Sequence, residues 1–170
     1  MSEQQQIDDR IAKRDALREL GVDPYGQRFD GVETMASVRA RGEALGLDAG
    51  QTADDSSACV AGRVVLHRPT GKLIFMKLRD GSDEMQVAVS KAAVDERDFR
   101  VANKLLNLGD IIGVHGKIGK TKTGELTVWA SSVTFLSKAI QPPPEKWHGL
   151  KDIDLRYRRR RRPVPAGTVA

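Results

Sequence analysis

Between Gly109 and Val128 the chain alternates aliphatic and polar side chains twice, on either side of the run Gly119-Lys-Thr-Lys-Thr-Gly-Glu125. Successive residues of a strand point to opposite faces, so this pattern dictates two half-buried strands joined by a basic hairpin. The lysines at its tip, Lys120 and Lys122, point to a phosphate-bearing partner. One carboxylate, Glu125, stands at the exit of the hairpin.

The same parity runs through three further segments. In Lys72 to Asp80, Ile74, Met76 and Leu78 form one row, and Phe75, Lys77 and Arg79 the other. An aromatic among cations on an outward row suits unpaired nucleotides, because the ring offers a stacking platform and the cations follow the backbone. The alternative is a surface ring covered by a neighbouring loop or helix. In Glu84 to Val89 the inward set is Met85, Val87 and Val89, which leaves Gln86, a donor and an acceptor, beside the Phe75 row. In Glu125 to Ala130 the inward set is Leu126, Val128 and Ala130, which places Glu125, Thr127 and Trp129 outside. In Ala58 to His67, parity gives Val60, Val64 and Leu66 to the core and turns Arg63 and His67 outward.

Five alternating runs, at about 58 to 68, 72 to 80, 84 to 90, 111 to 120 and 125 to 137, have one helical pattern between the third and fourth, Ala92 to Leu108. The expected fold is mainly β, a five-stranded oligonucleotide-binding (OB-fold) barrel with an N-terminal α-helical extension and a helix between strands 3 and 4. Val94, Phe99, Val101, Ala102, Leu105 and Leu106 are expected to plug the open end of that barrel.

Several blocks go further than the fold. Val60-Ala-Gly-Arg63, Gly71-Lys-Leu-Ile-Phe75, Met85-Gln-Val87, Gly109-Asp-Ile-Ile-Gly113, Gly119 to Leu126, and His148-Gly-Leu-Lys-Asp152 with Arg156-Tyr-Arg158 closely resemble, in this order, the anticodon-binding region of lysyl-tRNA synthetases. The resemblance covers about residues 58 to 160, and the hairpin and the His148 block resemble the lysine-specific branch more than its aspartyl and asparaginyl neighbours. It implies that Phe75 stacks on the central anticodon base of tRNA-Lys, a uridine, that Gln86 and Glu125 bond its edge, and that Arg63 holds the base or its backbone. Arg68, Lys77, Lys120 and Lys122 are the expected backbone contacts. Without the resemblance, Glu125 reads as a hairpin charge paired with Lys120 or Lys122.

Composition limits the reading. With 170 residues, 39% hydrophobic and 30% charged, the chain can bury one modest core plus peripheral helices. A net charge of +5 and a pI near 9.5 favour polyanions. One cysteine, Cys59, rules out an internal disulfide, and the N-terminus carries no signal-peptide pattern, so the expected compartment is the cytoplasm. No apolar run is long enough to span a bilayer, and no membrane partner is expected.

Three segments follow. Residues 1–57 form a helical extension and loop, with a helix from Glu3 to Leu20, a second near Glu33 to Leu45, and a loop from Asp48 to Ser57. Arg10, Arg14 and Arg18 recur every four residues, but the interleaved Asp8, Asp9, Asp15 and Glu19 make a solvated face the better reading. Residues 58–140 form the barrel. Residues 141–170 hold the stiff spacer Gln141-Pro-Pro-Pro144 and an arginine-rich end. In the family that spacer leads into a catalytic domain that binds ATP and Mg and forms most of a homodimer. This chain departs from the family pattern near Arg161, as a truncated or frame-shifted product would, and on its own is expected to be inactive and to need no cofactor.

Enzymatic alternatives fail on spacing. Gly119-Lys-Thr121 does not end a P-loop, because the first glycine of that motif would fall on Val114. Gly113, Gly116 and Gly119 recur every third residue, which fits barrel curvature or bulges instead of a dinucleotide fingerprint. His67, His115, His148 and Cys59 look too scattered in sequence for a metal site. Two readings stay beside anticodon recognition: a free-standing, sequence-tolerant single-strand or tRNA-binding barrel, and a purely structural or dimer-forming domain.

Overall fold

Alternation becomes five strands: β1 (Thr52–Thr70), β2 (Leu73–Arg79), β3 (Glu84–Ser90), β4 (Ile111–Lys120) and β5 (Leu126–Ser137). The structure is a computed structural model that describes residues 2–26 and 28–142. The His148 to Arg158 block, the arginine run and Pro143 and Pro144 of the spacer lie outside the described residues.

The expected barrel is corrected in its closure. The strand order is β1-β2-β3-β5-β4, with β4 returning to β1, and four of the neighbouring pairs are antiparallel ladders. The fifth seam, between β3 and β5, is parallel and consists of Gln86–Thr127, Val87–Val128 and Ala88–Trp129. The barrel therefore closes only through a short parallel seam on that side, while the other four seams are longer antiparallel ladders. Connectivity explains this: β3 and β5 each leave a hairpin in the same direction, and parallel neighbours need a long crossover.

The first strand departs furthest from expectation. It begins at Thr52, so most of the polar run read as a loop is strand, paired irregularly with β4 between Thr52–Gly119 and Ser57–Lys117. A bulge between Val64 and Leu66 then inverts the parity. Leu66, expected in the core, is exposed, and His67 is half-buried with its Nε2 2.8 Å from the Ala102 carbonyl oxygen. A second bulge, at Ser131 of β5 opposite His115 and Gly116, lies where the backbones come so close that a Cβ at Gly116 would lie 2.2 Å from the Trp129 carbonyl oxygen.

The core holds Val60, Ile74, Met76, Val87, Ile112 and Val128, all without exposed surface. One end is covered by α2 (Met35–Ala44), whose Gly42 packs on Leu126 and Ile118. Towards the other end of β5 the single helix expected over Ala92–Leu108 is instead α3 (Glu96–Arg100) and a π-helical turn (Val101–Leu105). The carbonyls of Leu105 and Leu108 accept from Lys138 Nζ and Arg10 Nη1, at 2.9 and 3.0 Å, instead of extending a helix. Phe99, Val101, Ala102, Leu105 and Leu106 are buried there, as their pattern required.

α1 (Glu3–Glu19) starts at a capping box in which Ser2 and Gln5 exchange hydrogen bonds. Leu17 and Arg10 are its buried residues. Arg10 is thus removed from any cationic ridge: it also donates to the Ala139 carbonyl at 2.8 Å. Beside it the fully buried pair Lys138–Asp110, 2.8 Å apart, ties the end of β5 to the π-turn. Burial lowers the Lys138 pKa, and Asp110 works in the opposite direction.

Candidate nucleic-acid interface

Register decides which outward side chains meet. Phe75 on β2 faces Ala88 on β3, Lys77 faces Gln86, and Gln86 faces Thr127 across the parallel seam. Phe75 and Gln86 are therefore diagonal neighbours, about 7–8 Å apart. Both are half-buried on the outer face, and Glu125 is exposed.

The hairpin tip is rigid enough to aim that carboxylate. Gly124 adopts φ +86°, open to glycine at no steric cost, and its N–H donates to the Thr121 carbonyl at 2.8 Å. Thr121 in turn donates its N–H to the Glu125 carbonyl and accepts the Glu125 N–H on its hydroxyl, both at 3.0 Å. Glu125 Oε1 lies 3.4 Å from Lys77 Nζ, with both side chains near half exposure. This replaces the pairing with Lys120 or Lys122 and joins β2 to the hairpin at under about 1 kcal/mol.

Thr127, expected outside, is fully buried. Its hydroxyl donates to the Glu125 carbonyl at 3.0 Å and accepts from Gln86 Nε2 at 2.8 Å. A hydroxyl has one proton. With that proton on Glu125, Thr127 can only accept from Gln86, so the carboxamide turns its nitrogen toward the sheet and keeps Oε1 and a second N–H for a ligand. Parity located this residue on the outer side but could not reveal its burial, which comes from the seam.

Two expected contacts are diverted. Arg63 lies opposite Arg79, four residues along β2 from Phe75, about 13 Å away, and its Nη1 donates to the Gly109 carbonyl at 2.8 Å. Lys120 Nζ donates to the Leu47 carbonyl at 2.7 Å. Arg68, by contrast, is the register partner of Phe75 and is exposed, as is Lys122.

Elsewhere β1 and β4 bring Cys59 opposite His115, with Sγ 3.8 Å from Nε2, on a cleft of about 440 Å³. Sequence distance had concealed this pair. Burial and the nearby Glu33 raise the thiol pKa, which leaves it a poor nucleophile, and among the described residues no third ligand completes a metal site.

Five strands curl round one core and carry a ring, a carboxamide and an acid on one outer face, and residues 58–136 match the family of OB-fold nucleic acid binding domains. The chain is homologous to the N-terminal anticodon-binding region of lysine-tRNA ligases. It is 42% identical over 160 residues to the lysine-tRNA ligase of Anaeromyxobacter dehalogenans (strain 2CP-C) and 43% to that of Anaeromyxobacter sp. (strain K), covering 94% of this chain and 31% of each relative. With the Streptococcus pneumoniae (strain ATCC BAA-255 / R6) enzyme it shares 41% over 157 residues, 90% of this chain and 31% of the relative. The chain thus spans about a third of the length of the curated relatives it matches.

Proposed function

We propose that the outer face of β2, β3 and the β4–β5 hairpin binds the anticodon loop of tRNA-Lys in the cytoplasm and supplies the tRNA-recognising part of a lysine-tRNA ligation carried out with a catalytic domain of the ligase family. The observation that carries this is the shared face of Phe75, Gln86 and Glu125, in which Thr127 joins Gln86 to the Glu125 carbonyl and Lys77 pairs with the Glu125 carboxylate. Stacking on Phe75 is worth about 1–3 kcal/mol and accepts any base. Choice then rests on the polar pair. A carboxylate accepts the imide N–H of uridine but opposes the acceptor nitrogen of cytidine, and the free N–H of Gln86 serves a uridine carbonyl. Each mismatch costs roughly 1–3 kcal/mol, so two exceed tenfold. Arg68, Lys77 and Lys122 are the cations placed to follow the backbone.

Binding to anticodon stem-loops tests the reading. Uridine at the centre should be preferred over cytidine by more than tenfold. Phe75→Ala should weaken both ligands about equally, while Glu125→Ala should mainly erode the preference. Equal affinity of the unaltered chain for both stem-loops would reject base readout and favour sequence-tolerant binding. No binding at modest salt would leave a structural domain.

A further inference from the structure

One ring on this face has no part in the scheme above. Trp129 sits two strands from Phe75 in a single register row that runs Arg68, Phe75, Ala88, Trp129, Lys117 across β1, β2, β3, β5 and β4. The row reads cation, ring, methyl, ring, cation. Two strand spacings separate the rings at their backbones, about 9–10 Å. Ala88 points outward, opposite to the buried Val87, yet is only 1% exposed, as expected where larger side chains on both sides close over a methyl.

The indole has a prepared bed. A Cβ at Gly119 would lie 2.9 Å from Trp129 Nε1, so the missing side chain is what lets the ring lie across β4. That bed also encloses Nε1, which is buried without a hydrogen-bond partner. An orphaned donor is a cost that phenylalanine or leucine would not incur while covering the same glycine. What tryptophan adds is the broadest π surface of any side chain, partly exposed on the same outer row as Phe75.

We propose that Trp129 is a second stacking platform, which takes an unpaired base adjacent in the strand to the one on Phe75, with Lys117 beside it for the phosphate. Resting on the RNA-binding reading of this face, the inference extends the site from one nucleotide to two. The second position is tolerant of base identity, because every base has a π face. Lys117 is half exposed and 2.7 Å from Asp54, an open pair that a phosphate can displace.

The test uses the full chain with Trp147→Phe, which leaves Trp129 as the sole indole. Titration with the uridine-centred stem-loop should quench its fluorescence. Trp129→Ala should weaken binding five- to a hundredfold, and Trp129→Phe should restore most of it. Stem-loops abasic at either position flanking the central base complete a double-mutant cycle: one abasic site should cost unaltered Trp129 as much as the alanine substitution does, and cost the alanine variant little more. Absence of quenching, unchanged affinity of Trp129→Ala, failure of phenylalanine to rescue a variant that melts normally, or full additivity of abasic and alanine losses would each overturn the proposal. If Phe75→Ala weakens binding while Trp129→Ala does not, only this inference falls. If both are without effect, the reading of the face falls with it.

Discussion

Thr127 has no exposed surface, so in the proposed interface it has no contact with RNA, yet its hydroxyl fixes which end of Gln86 faces outward. Thr127→Val keeps the shape and removes the relay. The carboxamide can then present either end, and a face that offers donor and acceptor interchangeably loses its preference before its affinity. The expected result is a uridine-to-cytidine ratio reduced severalfold or more, a uridine affinity lowered by less, and a stability loss of about 1 kcal/mol. Thr127→Ser should behave as the unaltered chain. An undiminished preference in the valine variant would show that Gln86 is oriented by something else. Of the residues named from sequence, the outward positions of Phe75, Gln86 and Glu125 were legible, because strand parity and one hairpin dictate them. Arg63 was assigned to the correct face, but parity says nothing about position along it.

At the scale of elements, α2 is held against the sheet by Asp80 in the β2–β3 turn. Its Oδ2 accepts the Met35 N–H at 2.9 Å, and its Oδ1 accepts the backbone N–H groups of Ser82 and Asp83. Burial raises the carboxyl pKa, but these bonds and the Ser82 hydroxyl outweigh it and hold the group down at about 2, from 3.8. A carboxylate depressed on folding contributes stability that is complete above its unfolded value and is lost as pH falls through the folded one. Here the window is from about pH 4 to pH 2. Denaturation of Asp80→Asn should therefore give lower stability at neutral pH, with the two chains converging near pH 2. A difference that stays constant across the window would assign the effect to packing. Elements whose partners are near in sequence, such as the β4–β5 hairpin, could be read in advance. The π-turn and the burial of Arg10 could not, because each depends on a bond to a distant segment: Lys138, or the Leu108 and Ala139 carbonyls.

Charge is unevenly divided over the whole molecule. Residues 143–170 contain eight of the 28 Lys and Arg and three of the 23 Asp and Glu, so their excess of five equals the net charge of the chain, and residues 1–142 are balanced. In the proposed interface, Phe75, Gln86, Glu125 and Trp129 would act by stacking and short-range hydrogen bonds, which salt screens weakly, whereas arginine–phosphate contacts release counterions. Affinity and choice should therefore separate experimentally. For a single-stranded target, log K falls by about 0.7 per unit of log salt for each phosphate neutralised. Changing Arg158 to Arg162 together to glutamine should flatten the salt dependence of stem-loop binding by up to about 3.5 units of slope and weaken binding at low salt, while the preference for a central uridine stays where it was. A slope that does not change would show that the arginine run makes no phosphate contact. A preference lost with the arginines would mean that base choice depends on how the tail holds the loop, and that the outer face alone does not read the anticodon.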